Sequence, residues 1–162
     1  MTNYYATLPK KRMAAAALIR DESGNILIVK PTYRPDWLLP GGIIEENESP
    51  RQACHRELHE ELGVDGSVQR LLCIDYSGPD GEKTENLQFI FDGGIFHPTQ
   101  IVSFQLPVGE LSEFRFVTLP DALALLHPKI AKRLPHCLTA LTIPFTAYLE
   151  EGDLIEEFGT GK

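Results

Sequence analysis

Glu57, Glu60 and Glu61 stand at i, i+3 and i+4 in the segment PRQACHRELHEEL and carry the strongest chemical signal in the chain. On a helix that spacing gathers three carboxylates on one face. The arrangement is costly. Glu57 and Glu61, as like charges at i, i+4, oppose the helix by about 0.2–0.5 kcal/mol. Glu60 and Glu61 also occupy the last turn, where the helix dipole disfavours an anion by about 0.3–1 kcal/mol. Arg56 offsets part of this by reaching Glu60 at i+4. A solvated acidic face is the ordinary reading of such a run. A local rule broken without evident compensation marks a functional site instead. Clustered carboxylates with no lysine among them suit a hard divalent cation, and Mg²⁺ is held by a few carboxylates together with substrate phosphate.

The flanking residues say how these groups are positioned. Ser49 is an N-cap, Pro50 suits the first helical position, and Gln52 completes a capping box. Gly63 is the C-terminal stop, so the helix is expected over residues 50–62. Cys54, Leu58 and Leu62 recur every fourth residue and form its core-facing stripe. Before it, Gly41 and Gly42 let the backbone turn sharply and pass close to a ligand.

Gly42, five residues, Glu48, seven residues, Arg56-Glu57-Leu58, one residue, Glu60-Glu61, one residue, Gly63-Val64: this pattern resembles the Nudix box without departure. The flanking Trp37-Leu38-Leu39-Pro40-Gly41 and the later Glu113-Phe114-Arg115-Phe116-Val117 resemble further segments usual in that family. The resemblance reaches from about Met13 to Leu126. It implies a helix–sheet–helix sandwich and hydrolysis of a diphosphate linked to another moiety, very often a nucleoside. It further implies Mg²⁺ or Mn²⁺ held by Glu57, Glu60 and Glu61, with Glu57 the leading general base, although family members differ on which carboxylate takes the proton. Arg56 and Glu48 resemble the structural pair that fixes loop to helix, and Gly42 the close pass of the loop. A later acidic residue often completes such sites; Glu110 is the first choice and Glu113 the second.

The rest of the chain bounds these expectations. Its 162 residues suit one domain, with 43% hydrophobic and 23% charged residues. A net charge of −8 argues against general nucleic-acid binding, and against a long RNA in particular. Cys54, Cys73 and Cys137 show no metal-ligand spacing and read as reduced thiols of a cytoplasmic protein. No signal peptide and no apolar run of membrane length is present. His55 and His59, at i, i+4, lack a zinc pattern and read as surface residues; His97, His127 and His136 say nothing specific.

The expected organisation is an N-terminal arm (1–12), one domain (13–149) and an acidic tail (150–162) that is solvated or a subunit contact, so a homodimer is one option. Within the domain, apolar runs at 14–19 and 26–30 make a hairpin, 37–39 a short strand, and 68–76, 86–91 and 113–117 further strands. Asp92-Gly93-Gly94 is expected to end the fifth of these, 101–104 is a candidate strand, helices run over 119–126 and 128–138, and 146–149 is extended. The fold class is α+β, a mixed sheet between helical layers. Trp37 reads as a core residue in preference to a base-stacking one.

Three functions compete. A metal-dependent diphosphohydrolase acting on a small nucleotide-type substrate leads, since every position of the box is intact. An isoprenoid diphosphate isomerase shares the fold but needs a cysteine and a histidine-rich metal site in contexts absent here. A non-catalytic nucleotide sensor would lose glutamates of the box. Specificity belongs to the loops 30–36, 77–84 and 96–109, where Tyr33, Arg34 and Phe104 are candidate substrate contacts.

Overall fold

The computed structural model describes residues 1–155. Its strands are β1 (Arg12–Asp21), β2 (Ile26–Pro31), β3 (Gly41–Ile43), β4 (Leu71–Ser77), β5 (Asn86–Phe96), β6 (Leu111–Val117), β7 (Ala147–Glu150) and β8 (Asp153–Leu154). Helices are α1 (Pro50–Leu62), α2 (Pro98–Ile101), α3 (Leu119–Leu125) and α4 (Pro128–Thr142). One mixed sheet runs β6-β2-β1-β5-β4-β7-β8, with β3 added on β1. β1 lies parallel to β5 and β4 parallel to β7.

β1 explains why its sequence reads as an unbroken apolar run. Ala15, Ala17 and Ile19 point to one face, against Leu58 and Leu62 of α1. Leu18 points to the other, against a core built with Leu72, Leu134 and Cys137. A strand covered on both faces has no polar side to alternate with. The result is the expected sandwich, with α1 on one face and α3 and α4 on the other.

Several elements differ from expectation for identifiable reasons. Residues 37–39 form only isolated bridges, Val29 to Leu38 and Trp37 to Leu126, and the strand lies instead on the glycines, with Gly42 opposite Ala15. β5 does not stop at Asp92 but continues through Gly93 and Gly94 to Phe96. Gly93 passes so close to Ile19 that any side chain there would collide with it. Residues 98–101 make a helical turn where a strand over 101–104 was the candidate. α4 continues past Leu138 to Thr142.

The chain ends also differ. Arg12 already belongs to β1, and the arm before it carries a single exposed 3₁₀ turn at Tyr4–Thr7. The acidic tail begins inside the sheet: Glu150 closes β7, Glu151 accepts from the Gly78 N–H, and Gly152 N–H donates to Asp75. Glu156 and Glu157 lie outside the described residues. Trp37 is buried, with the Arg115 guanidinium 4.7 Å from its ring centroid.

Candidate active site

α1 forms where its caps dictate. The Ser49 hydroxyl accepts from Gln52 N–H (3.1 Å), the Gln52 side chain accepts from Ser49 N–H (2.9 Å), and Gly63 closes the helix at φ 70°. Cys54, Leu58 and Leu62 are fully buried, so the helix has one rotational setting on the sheet. That setting turns Glu57 and Glu61 towards β3.

Gly42 is where helix and strand meet most closely. A Cβ at this position would run into the Glu57 carboxylate. Glycine is therefore required there by contact, and the carboxylate lies directly against the strand. Glu61 reaches the adjacent residue and accepts from Gly41 N–H (2.8 Å).

Arg56 fixes the loop to the helix. Its Nε and Nη2 grip both Glu48 oxygens (2.7 and 3.0 Å), and Nη2 also donates to the Ile43 carbonyl (3.0 Å). Nη1 donates to Glu57 (2.9 Å) and Glu60 (3.2 Å). A bidentate guanidinium–carboxylate pair is the most directional ion pair available to a protein. It holds the Glu48 carboxyl down at about 2, aided by the Glu45 N–H, and itself holds its proton more tightly.

The remaining carboxylates experience the opposite environment. Burial raises Glu57, against the opposing pull of Arg56. Burial pushes Glu61 up to about 8, with Glu57, Glu110 and Glu60 adding repulsion and the Gly41 N–H resisting it. Glu110, in the turn before β6, contributes to the repulsion on Glu61. Glu113 instead pairs with Arg115 at 2.6 Å.

The donor set fits a hard divalent cation. Glu57, Glu60 and Glu61 come from one helix and Glu110 from the turn before β6, and burial with mutual repulsion raises the pKa of Glu57 and Glu61. Such groups gain most from a multivalent cation. Among the described residues no three acidic, histidine or cysteine side chains stand close enough together to hold a metal ion; Arg56 donates to Glu57 and Gly41 N–H to Glu61. His55 and His59 are exposed, and His59 lies 3.2 Å from Asp65.

On the other side of β3 a cavity of about 390 Å³ opens, sharing Gly41 and Gly42 as its wall. Its floor comes from alternate residues of two parallel strands, Ala14 and Ala16 facing Gln88 and Ile90 in register. Tyr33 and Arg34 both line it. Phe104 is placed elsewhere: it packs edge-on against Phe96 and Phe114, at 5.7 and 5.0 Å, in the core beneath α1.

The cavity is also lined by Lys83, from the 77–84 loop expected to set specificity, by Arg12, from the expected N-terminal arm, and by His127, Lys129 and Arg133, which sequence reading missed. Asn86 and Gln88 left a readable trace, being polar residues on one face of an otherwise apolar strand. Arg133 is buried, paired to Asp75 and 3.4 Å from Ser77 Oγ. His127 is pushed down by burial and then by Arg34, with Lys83 and Arg133 adding to it.

Fold and site together define an α/β/α sandwich built around a loop–helix unit bearing carboxylates. The chain belongs to the NUDIX family, whose domain model matches residues 10–138. Diphosphoinositol polyphosphate phosphohydrolase 2 of Rattus norvegicus is 41% identical over 66 residues, which are 40% of this chain and 37% of that protein. The match therefore spans little more than a third of this curated relative. An ADP-ribose pyrophosphatase from Streptococcus suis superposes with a TM-score of 0.59 at 26% identity, over 87% of this chain and 99% of that one. A UDP-X diphosphatase superposes with a TM-score of 0.73 at 21% identity, over 90% and 70% of the respective chains, a likeness of fold. Among the described residues no helix is long and apolar enough to cross a membrane.

Proposed function

We propose that this chain hydrolyses a phosphoanhydride bond in a small nucleotide-type diphosphate, with Mg²⁺ or Mn²⁺ held by Glu57, Glu60, Glu61 and Glu110. One observation carries the reading: Gly42 leaves the Glu57 carboxylate directly against the wall of the cavity, so metal ligands and substrate space share one strand. A bound divalent cation supplies neutralisation of the diphosphate and a lower pKa for the attacking water.

The chain's own residues do the rest. Arg56, locked by Glu48, orients Glu57 and Glu60. Glu57 and Glu61 hold protons more tightly than ordinary carboxyls, which suits the pair to accept one from water. The cavity holds the remainder of the substrate between Tyr33, Arg34 and the alanine floor. By their names, relatives act on a diphosphoinositol polyphosphate and on ADP-ribose, each of which contains a diphosphate. The free, buried thiols of Cys54, Cys73 and Cys137 suit a reducing compartment such as the cytoplasm. Burial also removes them as catalysts, the Cys54 thiol being pushed up to about 12, which speaks against the isomerase reading.

The test is hydrolysis of a panel of diphosphates in ¹⁸O-labelled water. Activity is expected to vanish with EDTA, return with Mg²⁺ or Mn²⁺, and leave label on a phosphoryl product. Label in an alcohol or sugar product refutes attack at phosphorus, and no cleavage with either metal favours the sensor.

A further inference from the structure

In a chain of net charge −8, the cavity beside Gly42 is lined by Arg12, Arg34, Lys83, Lys129 and Arg133. These cations differ in how far they are neutralised. Arg133 is consumed by its buried pair with Asp75. Arg34 shares Asp36 at 3.7 Å, and Lys129 shares Asp80 at 4.0 Å. Arg12 and Lys83 have no carboxylate at ion-pair distance among the described residues. Glu85, the nearest acid in sequence, is occupied by Lys11 at 2.5 Å and by the Tyr76 hydroxyl at 2.7 Å.

Arg12 is also held in place. Its Nε donates to Thr84 Oγ1 (2.8 Å) and its Nη2 to the Thr84 carbonyl (2.5 Å), so the guanidinium is fixed on the β4–β5 turn, at the residue after Lys83, and both cations line the cavity. A fixed guanidinium and a lysine with uncompensated charge form a phosphate site in the ordinary chemical sense.

Its position sets the geometry of a ligand. Arg12 precedes Ala15, the residue facing Gly42, by three residues on one strand, a separation of roughly 10 Å. The cavity floor along this strand is Ala14 and Ala16, with side chains too small to fill the space. We infer that Arg12 and Lys83 form a second anion subsite, selecting substrates with a phosphate monoester on the half of the molecule remote from the scissile diphosphate. The inference rests on the proposed hydrolase reading for its assignment of the first subsite. A ribose 2′-phosphate and the phosphates of a cyclitol both supply the required chemistry.

Binding without metal separates this subsite from catalysis. Dissociation constants are measured calorimetrically in EDTA for ADP-ribose, its 2′-phosphate and inositol hexakisphosphate, with the parent, Arg12→Ala/Lys83→Ala and Lys83→Glu. At least one phosphorylated probe is expected to bind the parent about tenfold or more tighter than ADP-ribose, and which one does identifies the source of the phosphate. The double variant is expected to lose that advantage while its affinity for ADP-ribose changes less than about threefold, and Lys83→Glu to reverse the preference. Both side chains are exposed, so thermal unfolding should remain near that of the parent; if the double variant unfolds, Lys83→Glu alone decides. An absent advantage in the parent, or one retained in the variants, overturns the subsite. A chain that hydrolyses nothing can still show it, and an active hydrolase indifferent to the added phosphate loses only the subsite.

Discussion

Replacing Glu61 by Gln tests whether this carboxylate is held where it is against the interests of the fold. Its carboxyl, pushed up to about 8 from an ordinary 4.5, binds a proton more tightly folded than unfolded. The stability this provides is complete below about pH 4.5 and is lost as pH rises through 8. In that window the metal-free parent should therefore weaken with pH, by no more than about 1.4 kcal/mol per pH unit from this one group. Glu61 is only part-buried, and solvent screening reduces the sum to about 2 kcal/mol between pH 5 and 8. Helix repulsion and dipole alone would give only about 0.5–1 kcal/mol.

Gln keeps the acceptor for Gly41 N–H and stays neutral throughout. Urea unfolding in EDTA at pH 5, 6, 7 and 8 should show variant and parent alike at pH 5 and the variant more stable by about 2 kcal/mol at pH 8. Glu60→Gln is the comparison: Glu60 is 52% exposed and is the weakest of the carboxylates raising Glu61, so this variant should keep most of the parent's pH dependence. Added Mg²⁺ should stabilise the parent by about 2.7 kcal/mol at a hundred times its dissociation constant, and Glu61→Gln much less. Parallel pH curves for parent and Glu61→Gln, or a variant weaker at every pH yet equally responsive to Mg²⁺, would refute the reasoning.

Gly42→Ala should cut turnover on the order of a hundredfold, because the added Cβ displaces the Glu57 carboxylate; kcat measured beside an unchanged circular-dichroism spectrum checks this. Leu58→Ala, at a fully buried position between α1 and β1, should cost about 2–5 kcal/mol in urea unfolding, and a loss under about 1 kcal/mol would show that α1 is not seated as described.

α1 was legible to the residue because its determinants are local: Ser49, Pro50, Gln52 and Gly63 lie within the helix and its caps. The carboxylate cluster was legible for the same reason. The placement of Glu110 just before β6 was reachable because the resemblance implied that strand. Burial of Glu61 was not, since it depends on β3 lying over the helix end. The basic cavity was not legible either. Arg12 meets Thr84 across 72 residues and Arg133 meets Asp75 across 58, contacts set by parallel pairing and by α4 packing on β4. Phe104 looked like a substrate contact because exposed and buried aromatics read alike in a loop, and only the packing of Phe96 and Phe114 around it decides.

The two halves of the site meet on a strand of three residues, which explains why glycine occupies two of them. β3 must let Glu57 approach Gly42 from the helix side, while its other side stays open as the cavity wall. A side chain at Gly42 would fill one of those spaces, and one at Gly41 would strike the Ala15 carbonyl on β1. The chain therefore brings carboxylates and cations, which would otherwise neutralise each other, to opposite sides of one thin wall. Arg56 belongs to the acidic side, on α1, and both Glu48 oxygens accept from it. Arg12 and Lys83 remain on the cavity side, roughly 10 Å along the sheet from Gly42, too far to pair with Glu57. A phosphorylated substrate spanning that distance would complement the cations directly and the carboxylates through a bound divalent cation.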